Sequence, residues 1–165
     1  MPDVKPAALL SNLSASAQPN PDRHPMDNYR VIFCHKQATS ALLRFMLFDN
    51  TTVCVPGALP ELSVLIDTPD TASNVVLHPK AAIGRIASQL GFAPSEWERE
   101  SEFSAHVDVP GAVWPVFLAR FTTQDPPFMM AGRIGASFVD LARARHLPAT
   151  ELQLLRLAYE ALMEG

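Results

Sequence analysis

Residues able to carry chemistry are few and scattered along the 165-residue chain. The densest set is an acidic row, Glu96, Glu98, Glu100 and Glu102, alternating with Trp97, Arg99, Ser101 and Phe103. At a period of two these carboxylates point from one face of a strand, about 7 Å apart, and could share a cation only at a stretch. The plainer reading is a solvated edge face that resists aggregation. His106 and Asp108 repeat that spacing, as a base and its orienting acid would. No Ser or Cys in a nucleophile setting accompanies them, so a polar strand face is the simpler explanation. Arg44 stands alone in an apolar run and must find a partner, reach water or hold an anion. Trp97 and Trp114 offer faces on which a base can stack, though such a residue more often belongs to a core. His78 belongs to the entry of a helical pattern, and His24, His35 and His146 show no i, i+4 pairing for a metal. Cys34 and Cys54 lie in apolar runs without metal-ligand or redox spacing. They read as two buried, reduced thiols in a cytoplasmic protein.

The elements that must position these residues follow from composition and period. With 48% hydrophobic and 18% charged residues, the chain is not globally disordered. No window approaches the roughly 18 uninterrupted apolar residues of a membrane span. A net charge of −4, from 13 Lys+Arg against 17 Asp+Glu, leaves little material for a nucleic-acid-binding face. No membrane or nucleic-acid partner is therefore expected. Residues 1–27 hold prolines at 2, 6, 19, 21 and 25 among small polar residues and read as a flexible tail, leaving one domain at 28–165.

Within that domain, 29–34 and 40–48 read as strands, Asp49-Asn50 as a turn, and 51–55 as a third strand ended by Pro56-Gly57. A short strand is expected within 61–66 and a loop at 67–70. Pro79 suits a first helical position, Ala82, Ile83, Ile86 and Leu90 share one face, and Gly91 suits the residue past the end. The acidic row gives a strand over 96–102, with helix competing over 95–101. Pro110-Gly111 is a turn, and 112–121 reads as a strand buried on both faces. Phe128-Met129-Met130, with Gly132 and Gly135, reads as a mobile apolar loop that could cover a pocket or make a subunit contact, with ordinary packing as the plainer reading. A short helix is predicted over 136–145. A last helix is predicted after the capping residue Thr150, with Leu152, Leu155, Tyr159 and Leu162 as its apolar stripe. Strands mix with helices without strict βαβ alternation, which predicts an α+β fold with a mixed sheet.

This order, with Pro56-Gly57 after a strand and the helix Ala81-Ala82-Ile83-Gly84-Arg85-Ile86-Ala87-Ser88-Gln89-Leu90-Gly91-Phe92, resembles the Nudix hydrolase superfamily. The closing stretch, Leu147-Pro148 followed by Glu151-Leu152 and 154–159, is also similar to the last helix of many bacterial Nudix-like proteins. The resemblance implies a mixed β-sheet sandwiched by helices, with a helical C-terminus. In the family the helix carries acids that hold Mg²⁺ against a diphosphate. Here Ala81, Ala82, Ile86, Gly91 and Phe92 keep the frame, but Gly84 and Arg85 replace Arg-Glu, and Ser88 and Gln89 replace Glu-Glu. Metal-assisted diphosphate hydrolysis needs carboxylates to hold the cation. Neutral Ser88 and Gln89 cannot supply them, and Arg85 repels it. The resemblance therefore implies a degenerate Nudix box and no cofactor. The expected function is binding of a nucleotide or phosphorylated metabolite, or protein interaction, as a homodimer or with another partner. Arg85 and Arg44 would be the anion contacts, with His106 and Trp114 as further ligand-binding candidates. The alternative is a Mg²⁺-dependent nucleoside diphosphate-type hydrolase that uses other carboxylates, from among Glu61, Asp67, Glu98 and Glu100. Whether the chain is an enzyme stays open at this point.

Overall fold

The computed structural model describes residues 28–67 and 78–164. The tail expected at 1–27, and residues 68–70 of the expected loop, lie outside them.

The described strands form one mixed seven-stranded sheet in the order β3-β5-β6-β1-β2-β7, with β4 beside β6. They are β1 (Arg30–Lys36), β2 (Leu43–Phe48), β3 (Val64–Ile66), β4 (Trp97–Arg99), β5 (Ala105–Val109), β6 (Ala112–Phe121) and β7 (Ala136–Val139). Three α-helices accompany them among the described residues: α1 (Pro79–Leu90), α2 (Phe128–Arg133) and α3 (Ala149–Glu164). The fold is α+β, as the order of elements predicts.

The long strand β6 holds the sheet together. One edge runs parallel to β1, from Val116 beside Arg30 to Arg120 beside Cys34. The other edge pairs antiparallel with β5 through Val116 and then with β4 from Ala119. Its second half carries the cover on both faces through Val116, Leu118, Ala119 and Phe121, while Ala112 and Val113 are exposed and Arg120 is half-buried, so the strand is not buried on both faces along its whole length as its composition predicts.

Alternation along the strands builds two cores. Tyr29, Val31, Phe33, Met46, Phe48, Ala119 and Phe121 face α1 and α2. Ile32, Cys34, Leu43, Phe45, Leu47, Val116 and Leu118 face α3. On the α1 side an aromatic chain runs through Phe33, Phe92, Phe121 and Phe138 to Phe128, with neighbouring centroids 4.8–6.2 Å apart. Each such pair adds about 0.5–1.5 kcal/mol beyond its buried area.

Helix α1 forms as its periodicity predicts. Pro79 opens it, and Ala82, Ile83, Ile86, Ala87 and Leu90 are buried. Gly91 ends it at φ 96°. The backbone conformation alone favours glycine there, and a Cβ would also come within 3.2 Å of Met130.

Five further expectations change. Residues 51–55 are no strand: beyond the turn at Asp49 and Asn50 only isolated bridges form, Phe48 with Thr52 and Val31 with Val55. The reason is competition for backbone donors. The Val53 N–H donates to the Glu151 carboxylate at 3.0 Å and the Cys54 N–H to the Thr52 hydroxyl at 3.0 Å. The acidic row is not one strand either. Pro94–Glu96 is a 3₁₀ turn in which the Glu96 carboxylate accepts the Ala93 N–H at 2.8 Å, leaving β4 with three residues.

Phe128–Arg133 is helix rather than loop. Residues 136–145 are not one helix. Gly135, at φ 74°, turns the chain so that β7 can pair with β2, and Asp140 then caps a 3₁₀ turn by accepting the Arg143 N–H. The last helix starts at Ala149, and Thr150 donates to the Ser63 carbonyl at 2.7 Å instead of capping. Its buried face is Glu151, Leu154, Leu155, Ala158 and Leu162, while Tyr159 is exposed.

Candidate functional site

Helix α1 presents its polar positions to solvent. Its only charged residues are Lys80 and Arg85, and both are exposed. Ser88 and Gln89, where the Nudix resemblance places acids, are exposed too. The helix is fixed to the sheet by Tyr29, whose buried hydroxyl donates to the Ala82 carbonyl at 2.9 Å. Burial pushes the Tyr29 phenol up to about 12, and the nearby positive charge of Arg85 partly opposes this. Arg85 lies one helical turn beyond Ala82, the residue that the Tyr29 hydroxyl holds. Phe117 packs against Tyr29 at 5.8 Å between centroids.

His106 shares this side of the sheet. On β5, Ala105, Val107 and Val109 point into the α3-side core, so His106 and Asp108 point the other way. His106 lies opposite Pro115 and Ile66 in the flanking strands. Partial burial lowers its pKa below the ordinary 6.5, which keeps the ring neutral. No hydrogen bond joins His106 to Asp108 among the described residues, so the oriented-base arrangement is not formed there.

The other two binding candidates stand elsewhere. Arg44 pairs across β1–β2 with His35, and its guanidinium donates to Gln37 Oε1 at 3.2 Å and lies 5.8 Å from the Phe128 ring. His35 is six residues along β1 from Tyr29, which is roughly 20 Å of strand. Arg44 and Arg85 therefore do not converge on one anion. Trp114 packs toward the α3-side core, on the face opposite α1. Its ring is covered by Arg30, with Cζ at 4.4 Å from the centroid, while Arg30 Nε donates to the Gly57 carbonyl at 2.8 Å. Trp114 is a stacking partner for an arginine.

The alternative metal ligands are dispersed. Glu98 lies opposite Arg120 in the β4–β6 register and forms a close ion pair with it. Glu100 lies 3.8 Å from the same guanidinium. Glu61 and Asp67 are exposed on either side of β3. Among the described residues no group of three or more His, Cys, Asp or Glu side chains is placed to hold a metal ion.

Two features went unread in the sequence. Glu151 is 1% exposed and holds residues 52 and 53 through Thr52 Oγ1 at 2.7 Å and the Val53 N–H at 3.0 Å. A shallow groove of about 340 Å³ lies between residues 102–104 and the end of α3, lined by Glu102, Phe103, Ser104, Leu157, Glu160 and Glu164 among others. Neither carries a local motif; each exists only because α3 folds back onto the sheet.

No described helix is long and apolar enough to cross a membrane. Compared with known families, the chain matches no family model, and no curated protein matches it.

Proposed function

We propose that the chain is a catalytically degenerate Nudix-like domain that binds a nucleotide or another phosphorylated metabolite without a metal. The observation that carries this is the charge of α1. The helix whose frame resembles a Mg²⁺-binding element bears only Lys80 and Arg85, with Arg85 exposed beside Tyr29 on the side of the sheet that also carries His106. A guanidinium at that place takes a phosphate directly by charge-assisted, bidentate hydrogen bonds, and no cation is needed between them. The neutral His106 ring offers a polar contact on the same face, and Phe117 offers an apolar one. Free, buried Cys34 and Cys54 fit a reducing cytoplasm.

The test is calorimetric titration of a nucleoside diphosphate into the full chain in the presence of EDTA. Binding is expected without metal, with Arg85→Ala weakening it at least tenfold through loss of the charge-assisted hydrogen bonds. Equal binding by the variant would remove Arg85 from the site.

A second reading is favoured by a different observation. Phe128 and Met129 of α2 are 55% and 73% exposed, an apolar surface that suits contact with another protein chain.

A further inference from the structure

The free edge of the sheet beside α2 carries more information than its exposed side chains. β7 pairs antiparallel with β2, Phe45 opposite Val139 and Phe48 opposite Ala136, and the Asp49 N–H donates to the Gly135 carbonyl at 2.9 Å. In an antiparallel ladder every second residue is bonded to a given neighbour. Gly135, Ser137 and Val139 therefore face β2, and the N–H and C=O groups of Ala136 and Phe138 point out of the sheet. Among the described residues these outward groups have no backbone partner beyond the ladder. Natural edge strands are blunted by charge, proline or shortness. β7, Ala136-Ser137-Phe138-Val139, is itself short at four residues, but it has no charge and no proline, and none of its residues is fully buried. The opposite edge, β3, has three residues.

We propose that β7 is the pairing edge of a homodimer, in which two copies of Ala136–Val139 run antiparallel about a twofold axis at Ser137. In this register Ala136 of one copy lies opposite Phe138 of the other, and all the outward backbone groups of both residues are used. The small Ala136 leaves room for the facing Phe138 ring, which Phe128 already meets edge-on at 5.7 Å. Exposed Phe128 and Met129 then lie next to the seam.

Charge supplies the argument for a second copy of this chain. Arg133 precedes β7 and, among the described residues, contacts only the sulfurs of Met129 and Met130, each at 3.8 Å. Asp140 follows β7 and accepts only the Arg143 N–H, at 3.0 Å. Neither has an ion-pair partner among the described residues. Antiparallel self-pairing places the Asp140 end of each copy beside the Arg133 end of the other, so both charges are answered twice by the same symmetry. The proposal rests on the second reading above, that the α2 face is a contact surface, and names its occupant.

The test uses Ser137, whose exposed side chain would meet its own copy at the axis. Light scattering after size exclusion is run on the full chain over a concentration series, with Ser137→Lys, Ser137→Asp, their mixture, and Phe128→Asp. The wild type is expected at twice its 18.0 kDa mass. Each single charge variant should weaken the dimer by roughly tenfold or more through like-charge contact, and the mixture should restore it. Restoration also proves that both variants fold. A monomeric wild type, or a dimer indifferent to both charges, would overturn the proposal. A dimer lost in Phe128→Asp but unaffected by either Ser137 variant would overturn the strand pairing and leave the α2 contact surface standing.

Discussion

At the scale of single residues, the most consequential buried charge is Glu151. Its carboxylate is the acceptor for Thr52 and Val53, and burial raises its pKa above the ordinary 4.5. The folded state thus holds the Glu151 proton more tightly than the unfolded chain does. Its contribution to stability is complete below about pH 4.5 and is lost as pH rises through the folded value. Glu151→Gln, neutral throughout, should gain melting temperature relative to wild type between that acid limit and neutrality. A difference that stays constant with pH would contradict this. Glu151→Ala leaves the Val53 N–H and the Thr52 hydroxyl buried without their acceptor and should cost about 1–3 kcal/mol in chemical denaturation. An unchanged midpoint would mean that residues 52 and 53 do not depend on it. The same network explains a misread stretch. Thr51, Thr52, Val53 and Val55 have the β-branched composition of a strand, but a buried glutamate about a hundred residues away takes the donors a ladder would need.

At the scale of elements, α1 was legible almost to the residue because three local signals agree: proline at its start, glycine past its end, and apolar residues at helical spacing between them. β1, β2, β6 and the turn at Pro110-Gly111 were legible for a similar reason. β7 was not, because a four-residue strand owes its existence to the free edge of β2, and nothing local announces that edge. The acidic row was misread because alternation of charge continued beyond β4, where the chain turns through Pro94 on one side and Glu100 on the other. The candidate site was legible only in part. Arg85 and His106 do share one side of the sheet, whereas Arg44 and Trp114 are kept from them by strand length and by strand parity. One element-level test concerns Gly84, in the middle of α1. A Cβ there would sit 3.6 Å from the Trp97 ring, an ordinary contact. Gly84→Ala should therefore stabilise the chain by about 0.5–1 kcal/mol through helix propensity, read as a higher melting temperature. A lower one would show that α1 and β4 are packed more tightly than that distance implies.

At the scale of the whole molecule, a single sheet is shared by two cores, with α1 and α2 on one face and α3 on the other. Cys34 and Cys54 both lie in the α3-side core, at 0% and 1% exposure, and burial raises both thiols well above their ordinary range. They should react with a thiol reagent together, and only as fast as the domain opens. Labelling of both thiols faster than the domain unfolds would mean that the α3 layer detaches on its own.

The central proposal is that the exposed, basic face of α1 takes an anion directly. A thermal-shift panel of nucleotides and phosphorylated metabolites, each with and without Mg²⁺, on wild type and Arg85→Ala, tests it most directly, because a ligand that binds only the folded state raises its melting temperature. The account predicts a shift that is equal with and without Mg²⁺ and is lost in Arg85→Ala. A shift that requires Mg²⁺, or one that Arg85→Ala leaves intact, would contradict it.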